Sequence, residues 1–268
     1  MGLFTPNYGK PGPGVSPNAP RKTGFARLWE MLSRDFWAFF LAGLLAGITA
    51  LPYLMGMVLA LAEHVVLYVL IAGIVGGMLA APQVVGMADT VLRSLRDEPG
   101  YWWETYRRSW KRNWKASLVP GAIGGLLLGM EVFTFWHMSD LNAGLAMWVM
   151  LLISVVMTVG LMGYVVPQIA LMDLPLWGML KNAALLFFAY LPRSLGGLLI
   201  QLAYWLAIAL LFPYSLYLFP VTNLWLPMVP GLLCIYPALN KSFDIENTIR
   251  KMREDDLNAA LAKDAEET

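Results

Sequence analysis

The sequence predicts an all-α protein: a polytopic membrane bundle of six transmembrane helices with amphipathic helices on its cytoplasmic side. Three observations carry this. Of the 268 residues 58% are hydrophobic and only 14% charged, against about 45–50% and about 25% in soluble domains. Six apolar stretches have the length that crosses a bilayer, roughly 20 residues. All 19 Lys and Arg fall in segments that a single orientation places on one side.

The six stretches are Phe36–Ala62, Val65–Ala88, Ala116–His137, Leu141–Met172, Ser194–Phe219 and Val221–Leu239. Their apolar runs are continuous, which excludes the alternating pattern of a membrane β-barrel. The fourth is long enough to tilt. Pro227, Pro230 and Pro237 predict a bend in the sixth. No secretory signal is expected, because the first apolar stretch starts late and has no small-residue cleavage site. The basic residues cluster before the first span, after the second, after the fourth and after the sixth. The positive-inside rule then puts both termini in the cytoplasm. The outer turns are short, near Glu63-His64, Ser139-Asp140 and Pro220.

The ends divide off from this membrane domain of residues 25–243. Residues 1–24 form a strap whose first 20 residues hold five prolines and four glycines, too many for a regular helix. Residues 244–268 read as a charged helix with an acidic end, its apolar stripe being Ile245, Ile249, Met252 and Leu257.

Interfacial helices are expected near 25–37, 89–115 and 173–193. Each cytoplasmic connection pairs a proline with an aspartate six or seven residues on: Pro82 with Asp89, Pro167 with Asp173, Pro237 with Asp244. Aspartate is a good N-cap, so each is expected to open a short helix. The span entries around Asp35 and Asn113 also look alike. This suggests three pseudo-repeats of an amphipathic helix plus a hairpin, with general likeness among membrane hairpins as the alternative. Gly43/Gly47, Gly73/Gly77, Gly121/Gly125 and Gly125/Gly129 have the four-residue spacing that lets helices pack closely.

Residues 101–115 are the clearest amphipathic element. Trp102, Tyr106, Trp110 and Trp114 recur on one face, flanked by Arg107, Arg108, Lys111, Arg112 and Lys115. Aromatic rings favour the headgroup boundary and basic residues favour anionic lipid. The pattern reads as an interfacial anchor, with a docking surface for a membrane partner as the second reading. A shorter relative places Phe25, Leu28, Trp29, Leu32 and Phe36 on one face.

Glu131 is the one carboxylate well inside a span, where a charge costs roughly 2.5–3.5 kcal/mol at the centre. It is a candidate proton or cation site. Glu63, His64, His137 and Asp140 gather with it towards the outer end. Glu131 and His137 lie six residues apart, about 120° around a helix, so any shared site needs several helices. No metal-ligand spacing is met. Phosphate-binding, hydrolase-elbow, zinc-protease and dinucleotide motifs are absent, which argues against an ATPase or other enzyme and calls for no cofactor. The net charge of +1 gives no field for nucleic acid. Cys234, the one cysteine, excludes an intrachain disulfide.

The order of several segments resembles the YesL family of bacterial membrane proteins, a domain of unknown function. The segments are Gly12-Pro13-Gly14-Val15, Asn18-Ala19-Pro20-Arg21-Lys22, Phe25-Ala26-Arg27-Leu28-Trp29-Glu30, Val91-Leu92-Arg93, Trp110–Leu118, Leu180-Lys181-Asn182-Ala183 and Leu191-Pro192-Arg193-Ser194. The resemblance implies a small protein of the bacterial cytoplasmic membrane linked to sugar uptake and polysaccharide breakdown, and it brings no catalytic residue. Taken together, these readings suggest a non-enzymatic accessory or regulatory membrane protein for carbohydrate uptake and utilisation, bound to an ABC permease or another membrane partner. The alternative is a small secondary transporter or channel using the polar site near Glu131. Oligomeric state is not legible.

Overall fold

A computed structural model describes residues 21–98, 100–138, 140, 144–252, 255 and 258. The Pro/Gly strap before Arg21, Ser139 of the expected second outer turn, Leu141 at the start of the expected fourth span, and Leu257 of the tail stripe lie outside the described residues. The fold is a helical bundle with no strand among the described residues.

In chain order the helices are α1 (Gly24–Glu63), α2 (Val66–Leu95), α3 (Trp102–Trp136), α4 (Leu145–Leu171), α5 (Leu176–Ala189), α6 (Leu191–Leu210), α7 (Ser215–Thr222) and α8 (Trp225–Phe243). Residues 245–252 continue as a further helical segment. Five helices, α1–α4 and α6, are long and apolar enough to span a membrane, and α7 with α8 makes a sixth if the bent pair counts as one. The chain is a multi-pass membrane protein. Apart from Lys10, Arg253 and Lys263, which are not described, its Lys and Arg sit at one end of the bundle, here called the basic side.

α1 breaks at Asp35, where the backbone leaves helical geometry (φ −114°, ψ 15°). This separates the amphipathic start from the span. In α3 the same two parts form one unbroken helix of 35 residues. In the third hairpin α5 is a separate helix, broken from α6 at Tyr190 (φ −119°, ψ 41°) ahead of Pro192. Proline restricts the residues before it, so the break falls there.

Several sequence expectations need correcting. Asp89 opens no helix; it lies buried within α2, paired with Arg93 one turn on at 2.8 Å. Asp173 lies in the connection before α5, whose first helical residue follows Pro175. Asp244 is a left-handed hinge (φ 48°) between α8 and the segment 245–252. The fifth span ends at Leu210 rather than near Phe219, and Pro220 lies inside α7 instead of marking a turn. The sixth span bends by 54°, but at Asn223 (φ 24°, ψ −142°), ahead of its prolines. Pro227 falls in the first turn of α8, where a missing N–H costs nothing. In the tail stripe Ile245 and Ile249 pack on the core, while Met252 is exposed.

Small residues set the closest approaches. α2 carries a π-helical stretch, Ala72–Gly76, a local widening that shifts which residues face a neighbour. Gly73 and Gly77 meet Gly121 and Gly125 of α3, so close that a Cβ at Gly77 would overlap the Gly121 carbonyl oxygen. Gly76 faces the Tyr53 backbone of α1. Gly43 leaves room for Asn223, the residue that bends the sixth span. Gly47 meets nothing. The main core runs from Met31, Phe39 and Val85 through Tyr164 and Val165 to Val229 and Leu239. A small second cluster, Met57, Ala60, Val69 and Ala72, closes the opposite end around Tyr53 and Phe133.

Candidate functional site

Three polar assemblies stand out. The largest lies on the basic side, where the end of α2 turns towards α3. Asp97 adopts a left-handed backbone (φ 56°), a conformation that short polar side chains tolerate. Its carboxylate takes Arg21 (2.9 Å), Arg27 (2.8 Å) and Arg34. Arg27 is 5% exposed. It also donates to the carbonyls of Ser94 and Leu95, and Arg34 donates to Ser94 O. Cations at these last carbonyls complement the helix dipole of α2. Asp35, the residue at the α1 break, accepts from Ser94 Oγ and Arg34. Burial works to raise the Asp97 carboxyl, but the Arg34 and Arg27 hydrogen bonds outweigh it and hold it below the usual carboxylate range. Arg21 ties the assembly to the C-terminal segment through Glu246 at 2.8 Å, which also accepts from Tyr236.

Beside this clamp lies a polar cavity of about 330 Å³, lined by Arg34, Asp35, Thr90, Arg93, Ser94 and Trp102 among others. The sequence reading assigned its arginines to topology alone and missed their convergence. Asp35 at a span entry was the available signal, but nothing in the chain order says that Asp97 will face it.

The second assembly is the amphipathic start of α3. Only part of its expected surface is outward. Tyr106 is 4% exposed and lies on Gly86 of α2; Trp102 and Trp110 are half-buried, with ring nitrogens that find no acceptor among the described residues. The inward face instead continues through Ser109, Asn113 and Ser117. Arg107, Arg108, Lys111, Trp114 and Lys115 are exposed, and Lys115 lies over the Trp114 ring at 5.6 Å. Trp103, which the four-residue stripe omitted, is 56% exposed. Arg112 donates to the Ala170 carbonyl at 2.7 Å and so caps α4, as Arg27 and Arg34 cap α2. The amphipathic starts at Phe25 and Trp29 are likewise outward, while Leu28 and Leu32 pack inward.

The third assembly lies towards the other end. Glu131 is 6% exposed. Its Oε1 accepts from Ser154 (2.6 Å) and Thr158 (2.7 Å) of α4, and its Oε2 has no partner among the described residues. His64 and His137 meet separately, Nδ1 to Nε2 at 2.6 Å. His137 Nδ1 lies 2.9 Å from the Phe133 carbonyl. A carbonyl only accepts, so His137 donates through Nδ1, and with that ring neutral its Nε2 accepts from His64 Nδ1. Glu63 and Asp140 are exposed and join neither ring. The five residues grouped from sequence therefore resolve into a buried carboxylate, a histidine pair and two solvated acids. Among the described residues no cluster of three or more His, Cys, Asp or Glu could hold a metal.

No protein-family model, curated protein or solved structure matches the chain.

Proposed function

We propose that this protein is a non-enzymatic accessory or regulatory subunit of the bacterial cytoplasmic membrane, docking a membrane partner such as an ABC permease on its basic side. The basic side is then cytoplasmic and both described ends of the chain lie inside, as the positive-inside rule requires. One observation supports the docking reading most. The outward face of α3 sets Trp103, Arg107, Arg108, Lys111, Trp114 and Lys115 beyond the core, with only Arg108 in a salt bridge among the described residues. Tryptophan and arginine are the side chains that anchor protein interfaces. The ion clamp at Asp97 holds the neighbouring helices, so this face is presented on a rigid support. The link to carbohydrate uptake rests on the resemblance to the YesL family.

The test is crosslinking in native membranes from a photoreactive residue at Trp103. A stoichiometric permease adduct is expected, falling at least tenfold in R107E/K111E/K115E with the fold intact. Adducts to lipid alone, at every exposed position of α3, would sink the reading.

A second reading, a small transporter or channel, draws on Glu131 and its Oε2, which has no partner among the described residues, since intramembrane ionisable groups mark transport paths by default. Uptake and its pH response unchanged in Glu131→Gln would remove it.

A further inference from the structure

A cavity of about 340 Å³ lies between α4, α6 and α8, apart from the three polar assemblies. It follows α6 from Ser194 to Trp205 and α8 from Pro227 to Ile235, with Leu224 ahead of α8 and with Val84 and Met87 of α2 and Leu128 of α3 also lining it. The eleven helical steps from Ser194 to Trp205 rise ~16 Å, so its mean section is ~20 Å², about the cross-section of a single alkyl chain. Its walls are apolar, built by Val159, Leu198, Leu202, Met228 and Leu232, with space opened by glycines such as Gly163.

Three of the polar side chains that line the cavity are held by protein partners. Tyr164 and Ser194 pair at 2.8 Å, Ser194 lies on the Phe187 carbonyl, and Gln201 donates to Pro227 O.

The cavity opens sideways. Gly163 and Trp205 both line it and are both exposed on the outer surface of the bundle. A Cβ built at Gly163 would meet nothing. In a multi-pass protein that opening faces hydrocarbon. At the basic end sits Arg193, adjacent to Ser194, exposed, and in no salt bridge among the described residues. Ser194 lines this end of the cavity, so Arg193, its neighbour in the chain, stands at the rim on the basic side. A guanidinium there suits a phosphate in the headgroup layer.

We propose that this cavity binds one acyl chain of an anionic phospholipid drawn from the leaflet on the basic side, with the lipid phosphate at Arg193. The site goes beyond the docking reading and stands or falls without it.

The experiment uses the full chain in nanodiscs containing phosphatidylglycerol with a diazirine on its acyl chain. Adducts are mapped by mass spectrometry. Expected are adducts on Leu198 and Leu232, each 5% exposed and beyond the reach of bulk lipid, together with adducts on outward residues such as Leu199 and Leu206. Excess unlabelled phosphatidylglycerol should remove the inward adducts first. Gly163→Leu should lower them at least tenfold and leave the outward ones unchanged. Adducts confined to outward residues of the wild-type protein overturn the proposal, whatever the variant does. A phosphatidylcholine probe should label the inward residues several-fold less, a preference lost in Arg193→Gln. Equal inward labelling by both probes in the wild type overturns the assignment of Arg193.

Discussion

The two sides of this bundle use glycine in opposite ways. Between α2 and α3 the glycines interlock backbone against backbone: Gly77 faces the Gly121 carbonyl and Gly125 faces that of Gly73. Among α4, α6 and α8 the nearest atoms are side chains or there is open space, and backbone comes no nearer than ordinary van der Waals contact, as between Gly197 and the Gly231 carbonyl. Gly160 meets the Phe187 ring, Gly197 the Ile235 methyl, and Gly163 nothing. Backbone cannot yield to an added side chain, whereas a rotamer can. The same residue type thus makes a rigid seam on one side and an open cavity on the other.

The sharpest way to break this comparison is a matched pair of substitutions. Gly77→Leu drives a side chain into a neighbouring backbone and should cost about 3 kcal/mol or more, the upper end for overpacking. Gly163→Leu should change stability by no more than about 1 kcal/mol, since helix propensity favours leucine and nothing is struck. Reversible unfolding in bicelles measures both. If the two variants unfold alike, the distinction between seam and cavity is lost.

The ion clamp belongs to the rigid side and extends the comparison. Asp97→Asn keeps the left-handed backbone but leaves buried Arg27 with fewer acceptors, for an expected loss of about 1–3 kcal/mol. The pH dependence has a definite sign. The folded carboxyl titrates below its ordinary value of 3.8. Its contribution is therefore complete above that value and disappears as pH falls through the lower, folded one. The stability gap between wild type and Asp97→Asn should stay level from pH 8 to pH 5 and close only in stronger acid. A gap that closes near neutrality would mean that another group controls the clamp.

Smaller effects sharpen the picture. Arg112→Gln removes a cation from the last turn of α4 and should cost about 0.3–1 kcal/mol, with faster amide exchange confined to the residues near Ala170. Thr158→Val deletes one of the two hydroxyls on Glu131. Interhelical hydrogen bonds in membranes average about 0.6 kcal/mol, and the same unfolding assay should return a loss of that order.

Much of the fold was legible in the chain. Length and hydropathy placed the far ends of α1 and α3, the start of α2 and both ends of α4 within a few residues, because crossing a bilayer demands a continuous apolar run; α1 and α3 begin more than ten residues before their apolar runs. The spacing of Gly73/Gly77 and Gly121/Gly125 announced a close helix contact. The end of the fifth span was misjudged because Leu211–Phe219 is as apolar as the helix before it, and hydropathy does not register a turn. The bend at Asn223 was assigned to Pro227, Pro230 and Pro237, the residues whose chemistry disrupts helices. It falls instead where Asn223 fits against Gly43 of a distant helix.

The polar sites divide along the same line. Glu131 stood out in the sequence because a carboxylate in an apolar run is unusual. His64 and His137 were grouped by their place at the end of the bundle, and the structure joins them. The aromatic stripe at Trp102, Tyr106, Trp110 and Trp114 was read as outward because aromatic periodicity suits an interface. Yet Gly86 gives Tyr106 a seat inside, and Ser109 and Asn113 fill the inward face.

By itself the sequence determined that this chain is helical and membrane-spanning, and it confined the basic residues to one side. Those properties follow from local apolar length and from charge order along the chain, which need no knowledge of neighbours. Only the tertiary structure decided that Arg21, Arg27 and Arg34 converge on Asp97, that one Glu131 oxygen has no partner among the described residues, and that α4, α6 and α8 leave a cavity. Each depends on helices far apart in sequence meeting at a particular rotation and height, and that is set by packing.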